Sequence, residues 1–236
     1  MKPDILEALR QVAVPTLSAV MFARGLRSRF LHGITPANPQ AARFIGPAYT
    51  IRAIPVREDL RDAVAAGRLP NLHRQIFSNV PAGAVLVCGT GGAAHVSVLG
   101  DIIATALHRK GVAGVVVDTG VSDLPVVAAM ALPVHHGGGS APVPSSAAVM
   151  VVDHSLPIGI AGVAVFPGDI MVGDASGVVC IPAELVEEVA REAAEKERLE
   201  AWILAEIEGG APLEGTYPPD AATKARYRAA QGTGAG

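Results

Sequence analysis

The residues best suited to chemistry lie in one stretch, Gly100–Asp123, with the sequence GDIIATALHRKGVAGVVVDTGVSD. It opens on a glycine and an acid, Gly100-Asp101, and ends on two further acids, Asp118 and Asp123. Between them a helix and a buried strand are expected. Ile102, Ile103, Ala106 and Leu107 recur at helical spacing, His108, Arg109 and Lys110 fill the last turn, and Gly111 stops it. Ala113–Val117 is short, β-branched and uncharged, as in a strand covered on both faces. Such a strand delivers Asp118 and Asp123 to its carboxyl end, where open α/β sheets place ligands. Gly100 and the free N–H groups of Asp101, Ile102 and Ile103 can cradle an anion such as a carboxylate. An anion cradle beside acids points to a metal-assisted site for a small carboxylate.

Other groups carry less. Gly89-Thr90-Gly91-Gly92 follows a strand expected over Ala84–Cys88, but no helix or ribose-binding acid follows at dinucleotide spacing. Its glycines suit a close backbone approach to a ligand or a neighbouring subunit. His135-His136 ends a strand expected over Leu132–His136; adjacent strand residues face opposite ways and do not chelate one metal together. Asp169 and Asp174 stand in turn sequences, Pro-Gly-Asp and Asp-Ala-Ser-Gly, and read as structural. Cys88 and Cys180 each sit in a valine-rich run and read as buried, inert thiols without a disulfide framework or zinc spacing. Arg57-Glu58-Asp59, just past a strand over Gly46–Arg52, either lines a site or forms a solvated loop.

The rest of the chain must position these groups. Short helices are expected over Asp4–Val12 and from Thr16 to about Arg24, and a broken helix over Leu60–Ser78, interrupted at Leu69-Pro70-Asn71. A helix over Leu124–Ala131 and strands over Val149–Asp153 and Gly159–Val165 follow. Pro182 starts a long helix, Ala183 to about Ile207, stopped by Gly209-Gly210. The tail from Gly215 to Gly236 is expected to wrap over a neighbour and then fray.

With 236 residues and 50% hydrophobic content, the chain can bury one large core. Only 17% is charged and the net charge is −3, so there is no concentrated basic face for nucleic acid. The Arg24–Arg29 cluster reads as solvated surface or an interface. The N-terminus carries acids and no apolar signal-peptide core, and no apolar run reaches membrane-spanning length. A reduced, cytoplasmic protein with no membrane partner is expected.

The run Gly100-Asp101, Gly111, Gly114-Val115 and Asp118-Thr119-Gly120-Val121, closed by Asp123, resembles the central motif of the RraA-like family. That family holds the regulator of ribonuclease E activity and the 4-hydroxy-4-methyl-2-oxoglutarate/4-carboxy-4-hydroxy-2-oxoadipate aldolases. A second match is PGD-x4-D-x2-G-x4-P, from Pro167 to Pro182. Gly46-Pro47-Ala48 and Thr50 match a third segment, and the resemblance covers about residues 16–207. It implies one α/β domain over 1–236, an α-β-β-α sandwich akin to the swivelling phosphohistidine domain, assembled as trimers or hexamers. It also implies Mg²⁺ or Mn²⁺ held directly by Asp123 and through water by Asp101. By the same resemblance, Glu197 of a neighbouring subunit (Glu200 as second choice) reaches the metal's water shell. The N–H groups from Gly100 to Ile103 would hold the carboxylate of a pyruvate unit. The reaction implied is retro-aldol cleavage of a 2-oxo-4-hydroxy acid, or oxaloacetate decarboxylation, through pyruvate enolate.

One departure stands out. Aldolases of the family usually carry Arg-Asp where this chain has Ser122-Asp123. A serine supplies neither a fixed positive charge nor bidentate carboxylate contacts. Three readings therefore stay open: a lyase with a changed substrate or an arginine relocated to Arg57 or Arg109, a non-catalytic regulator or ligand sensor, and an enzyme of another reaction type. In the first, Ser122 joins Asp101 and Asp123 among the catalytic candidates.

Overall fold

The computed structural model describes residues 1–139, 141 and 143–233. The strand that organises it is β2 (Phe44–Pro55), which follows α1 (Pro3–Arg10), α2 (Val14–Ala23) and the two-residue β1 (Thr35–Pro36). Its second half pairs in parallel with β3 (Val85–Gly89), which is followed in the sheet by β4 (Gly114–Val117) and β5 (Val134–His136). Parallel neighbours need crossovers. These are α3 (Glu58–Ala65) with α4 (Leu72–Ser78), then α5 (Asp101–Arg109), then α6 (Leu124–Ala128). On its other edge, β2 pairs antiparallel with β6 (Val149–His154) and, through Phe44–Pro47, with β9 (Ile170–Asp174), which forms a hairpin with β10 (Gly177–Ile181). Between β6 and β9 lies a separate ribbon, β7 (Ile158–Ile160) with β8 (Val163–Val165). α7 (Val186–Glu208) and α8 (Ala221–Thr233) complete the chain.

Because β2 bends from one set of partners to the other, the sheet folds on itself and three apolar layers result. Strand side chains alternate between faces. Leu86, Cys88, Val115 and Val117 face outward to Phe77, Ala104 and Leu107 of α4 and α5. Val85, Val87 and Val116 face inward and meet Met171, Val178 and Cys180. The outer face of β9–β10, with Ile170, Val172, Val179 and Ile181, packs on Ile5, Leu17 and Val189 from α1, α2 and α7. The α-β-β-α order expected from the sequence is thus present, with the parallel half as the strand set leading to the acids.

Several local expectations need correction. Gly159–Val165 is a hairpin rather than one strand, because Ala161 and Gly162 both adopt positive φ and turn the chain. Both turn sequences do turn, at Pro167-Gly168 and at Asp174–Gly177; the strands β9 and β10 on either side of the second turn are what the sequence left unassigned. Within the C-terminal tail, α8 meets α7 of its own chain, where the Tyr227 and Trp202 rings lie 5.6 Å apart and Arg226 pairs with Glu206 at 2.6 Å. The fraying expected at the C-terminal end falls, for 234–236, outside the described residues. Among the described residues, no single helix is long and apolar enough to cross a membrane.

Candidate active site

The helix α5 begins at Gly100, which caps it without a side-chain bond. Gly100 is there for space, since its φ of −133° is open to any residue. An added Cβ would lie 2.8 Å from Oδ2 of Asp123 and 3.1 Å from Cβ of Ser122. The start of α5 is therefore pressed against the turn that follows β4. Asp123 itself stands at φ 53°, ψ 35°, the left-handed region that costs a non-glycine residue about 1–2 kcal/mol. A short polar side chain is one of the few that visits it. Among the described residues no donor holds the Asp123 carboxylate by a hydrogen bond or ion pair. A strained backbone carrying an uncommitted acid is an arrangement found at ligand sites.

Gly100, Asp101, Ile102, Ile103, Ser122 and Asp123 all line one cavity of about 1200 Å³. The structure brings together every candidate from this stretch except Asp118. That acid is spent elsewhere: its carboxylate accepts from the Thr90 amide at 2.8 Å, the Thr90 hydroxyl at 2.7 Å and the Gly92 amide at 2.9 Å. It fastens the Gly89–Gly92 loop and lines a different cavity. The pair of acids at one site is Asp101 with Asp123, not Asp118 with Asp123.

Ser122 is also committed. Its Oγ donates to the Ala141 carbonyl at 3.0 Å and lies 2.5 Å from Oγ of Ser97. One hydroxyl has one proton. With that proton on Ala141, Ser122 accepts from Ser97, and neither serine has a proton left for a ligand. Neither Arg57 nor Arg109 lines the cavity, and Arg57 is clamped by Asp59 through two bonds of 2.9 and 2.6 Å. The cations on the cavity wall are Arg61 and Arg74, from α3 and α4. Arg61 also donates to Asp62 at 3.0 Å from two nitrogens.

Glu197 lies in the other core region of its own chain. Its Oε2 accepts from the Ala13 amide at 3.4 Å at the start of α2, near Arg43, which pairs with Asp174 at 3.5 Å. Glu200 pairs with Lys196 at 2.6 Å. Asp174 further accepts from the Val14 amide at 2.8 Å, and Asp169 from those of Phe166 and Ala183 at 2.9 and 3.2 Å, so both are structural as expected. His135 and His136 are buried, bonded to the carbonyls of Asp174 and Gly138, and burial pushes both below the ordinary histidine value. Burial likewise pushes the Cys88 and Cys180 thiols up, which leaves them inert.

His73 is the cavity residue that the sequence reading passed over. It sits in α4, whose N-cap Asn71 accepts from the Arg74 amide at 3.2 Å, and Nε2 of His73 lies 2.7 Å from the Val98 carbonyl. The signal was faint: an Asn cap before a short turn, Asn71-Leu72-His73, just after the break at Leu69-Pro70-Asn71.

Known proteins resolve the family. The Aldolase/RraA model of the RraA-like family matches residues 3–180. The chain belongs to the RraA-like family. It is 29% identical over 212 residues to Protein DlpA of Legionella pneumophila, which covers 90% of this chain but only 33% of that protein. The chain thus spans a third of the Legionella protein's length. It is also 29% identical to a provisionally named 4-hydroxy-4-methyl-2-oxoglutarate aldolase of Halalkalibacterium halodurans, over 70% of this chain and 71% of that one. Among solved structures, Streptomyces coelicolor RraAS2, described as an unusual member of the RNase ES inhibitor RraA protein family, superposes with a TM-score of 0.75. The identity there is 28%, over 86% of this chain and 96% of that one. This RraA-like chain therefore has both aldolase-named and inhibitor-named relatives.

Does the RraA-like site fit a divalent ion? Among the described residues no three His, Cys, Asp or Glu side chains gather into a cage. Mg²⁺ does not require one, since it keeps several waters and takes one or two carboxylates directly. Asp123 and Asp101, two carboxylates on one cavity with Gly100 leaving the space free, suit a hard cation of that kind.

Proposed function

We propose that this chain is a divalent-metal-dependent lyase of small 2-oxo acids, cleaving a 2-oxo-4-hydroxy acid in the retro-aldol sense or decarboxylating oxaloacetate. The observation that carries the reading is the uncommitted Asp123 carboxylate, held in a left-handed turn against Gly100 at the mouth of α5. Asp123 would hold Mg²⁺ or Mn²⁺ directly and Asp101 through water. Once bound, the ion supplies Lewis acidity that stabilises the pyruvate enolate common to both reactions. The amides from Gly100 to Ile103 orient the substrate carboxylate, helped by the positive end of α5. Ser122 serves to pin the Ser97, Ser122 and Ala141 segments together rather than to donate a proton.

A trimer or hexamer belongs to the same proposal, with Glu197 of the partner subunit near the metal's waters. In its own chain that residue caps the start of α2, so the assignment requires it to leave the Ala13 amide. The two free, buried cysteines fit a reducing, cytoplasmic setting.

A second reading, a binding protein without turnover, is favoured by one observation. The position of the usual arginine holds a serine whose proton is already committed. Losing one preorganised donor costs about 10²–10³ in rate. Pyruvate release from oxaloacetate and a panel of 2-oxo-4-hydroxy acids, with and without Mn²⁺, separates the two. Metal-dependent release supports the lyase. Ligand-induced thermal stabilisation without release supports the binder.

A further inference from the structure

We propose that His73 is the proton acceptor of this cavity, taking the hydroxyl proton of a 2-oxo-4-hydroxy acid as its carbon–carbon bond breaks. The proposal rests on the lyase reading and assigns the proton transfer to a side chain of this protein. Asp101 and Asp123 are assigned to an ion, Ser97 and Ser122 have no proton or base to offer, and retro-aldol cleavage must remove a proton from oxygen.

The geometry singles out one nitrogen. A carbonyl only accepts, so the 2.7 Å contact with Val98 places the proton on Nε2 of His73. In the neutral ring Nδ1 then carries a lone pair. Nδ1 has no partner among the described residues and is not sealed from solvent. The Phe77 ring, 4.4 Å away, fixes the plane of the imidazole. Val98 precedes Gly100 by two residues, at most about 7 Å of chain. His73 and the start of α5, Gly100 to Ile103, line the same cavity.

The charges around His73 fit a neutral base. Burial, with a smaller contribution from Arg74 on its own helix, holds it below the ordinary histidine value. From α3, Arg61 lines the same cavity. α5 contributes Asp101 to the cavity, and Lys110 just after α5 donates to the Ser78 carbonyl at the end of α4. Asp123 lines the cavity from beyond β4. β6 packs on α4 through Val149 and Val151, while its Asp153 is turned to Arg52.

The step balances. Nδ1 takes the proton from the C4 hydroxyl, the C3–C4 bond breaks, and its electron pair moves into the C2–C3 enolate. The C4 carbonyl product leaves, and the imidazolium returns the proton to C3, which yields pyruvate. Decarboxylation of oxaloacetate has no hydroxyl proton to remove, and this difference supplies the test.

In His73→Gln the amide nitrogen keeps a donor on Val98 but offers no base. Retro-aldol kcat should fall by about 10²–10⁴, and the low-pH limb of its profile should vanish, whereas oxaloacetate decarboxylation should fall by less than about threefold. Equal losses on both substrates, or no loss, would overturn the assignment. A wild type that decarboxylates oxaloacetate yet cleaves no hydroxy acid would overturn it while leaving the lyase reading standing. A wild type inactive on both would remove both. Should the variant fail to fold, nitrogen NMR of the wild type at pH 7 decides. An unprotonated Nδ1 on a neutral ring is expected, and a proton there contradicts the proposal.

Discussion

Asp118 and Asp123 follow the same strand, yet their side chains have opposite fates. Asp118 is 6% exposed and takes donors from Thr90 and Gly92, so its charge is fully spent on holding a loop. Asp123 keeps its carboxylate unpaired, at a backbone conformation that must be maintained by its surroundings. A satisfied acid lowers the energy of the fold, and an unsatisfied one beside a cavity is held ready for something else. The contrast teaches that proximity in sequence says little about shared chemistry. What separates the two acids is which backbone amides arrive from residues far along the chain.

The largest effect expected from that contrast is on stability. Asp118→Ala would strand the buried Thr90 amide and hydroxyl and the half-buried Gly92 amide, at a cost of roughly 3–5 kcal/mol, or about 10 °C in Tm for a chain of this size. Asp123→Asn should leave stability within about 0.5 kcal/mol of wild type. Thermal melts of the two variants side by side check this; similar destabilisation by both would break the contrast.

Gly100→Ala should act in the reverse sense. Its Cβ would meet the end of the Asp123 side chain, which can move, so the fold should survive. The displaced carboxylate should lose about 10–100-fold in Mn²⁺ affinity, the range typical of a misplaced supporting group. Unchanged affinity would show that the acid needs no such precise seat.

The smallest effect concerns pH. His73, His135 and His136 are all held below the ordinary histidine value by burial. Their unfolded forms therefore bind protons at higher pH than the native forms do. Stability is fully present above the unfolded value of about 6.5 and is lost as pH falls toward the lower native values. Melts from pH 7.5 to 5 should show Tm declining below pH 6.5. A flat or rising Tm over that interval would contradict neutral burial.

Much of the frame was legible in sequence because its signals are local. The valine runs of β3 and β4, the glycine stops and the long helix from Val186 needed no partner to be recognised. Gly100 and Asp123 were legible as neighbours because helix start and strand end converge in any open α/β sheet, while the pairing of Asp101 with Asp123 came from the family resemblance. The allocation of Asp118 was not, since Thr90 lies 28 positions earlier and only the folded loop presents its amide. His73 was hidden for the same reason: its contact with Val98 spans 25 positions. The hairpin at Ala161-Gly162 was missed because an apolar run masked a turn that only the positive φ values reveal.

The central claim is that Asp123 is kept free to bind a divalent ion. Calorimetric titration of Mn²⁺ into wild type and Asp123→Asn tests it most directly, with matching melts to show that both are folded. The account predicts measurable binding by the wild type and none by Asp123→Asn. Equal Mn²⁺ affinity in the two would contradict it.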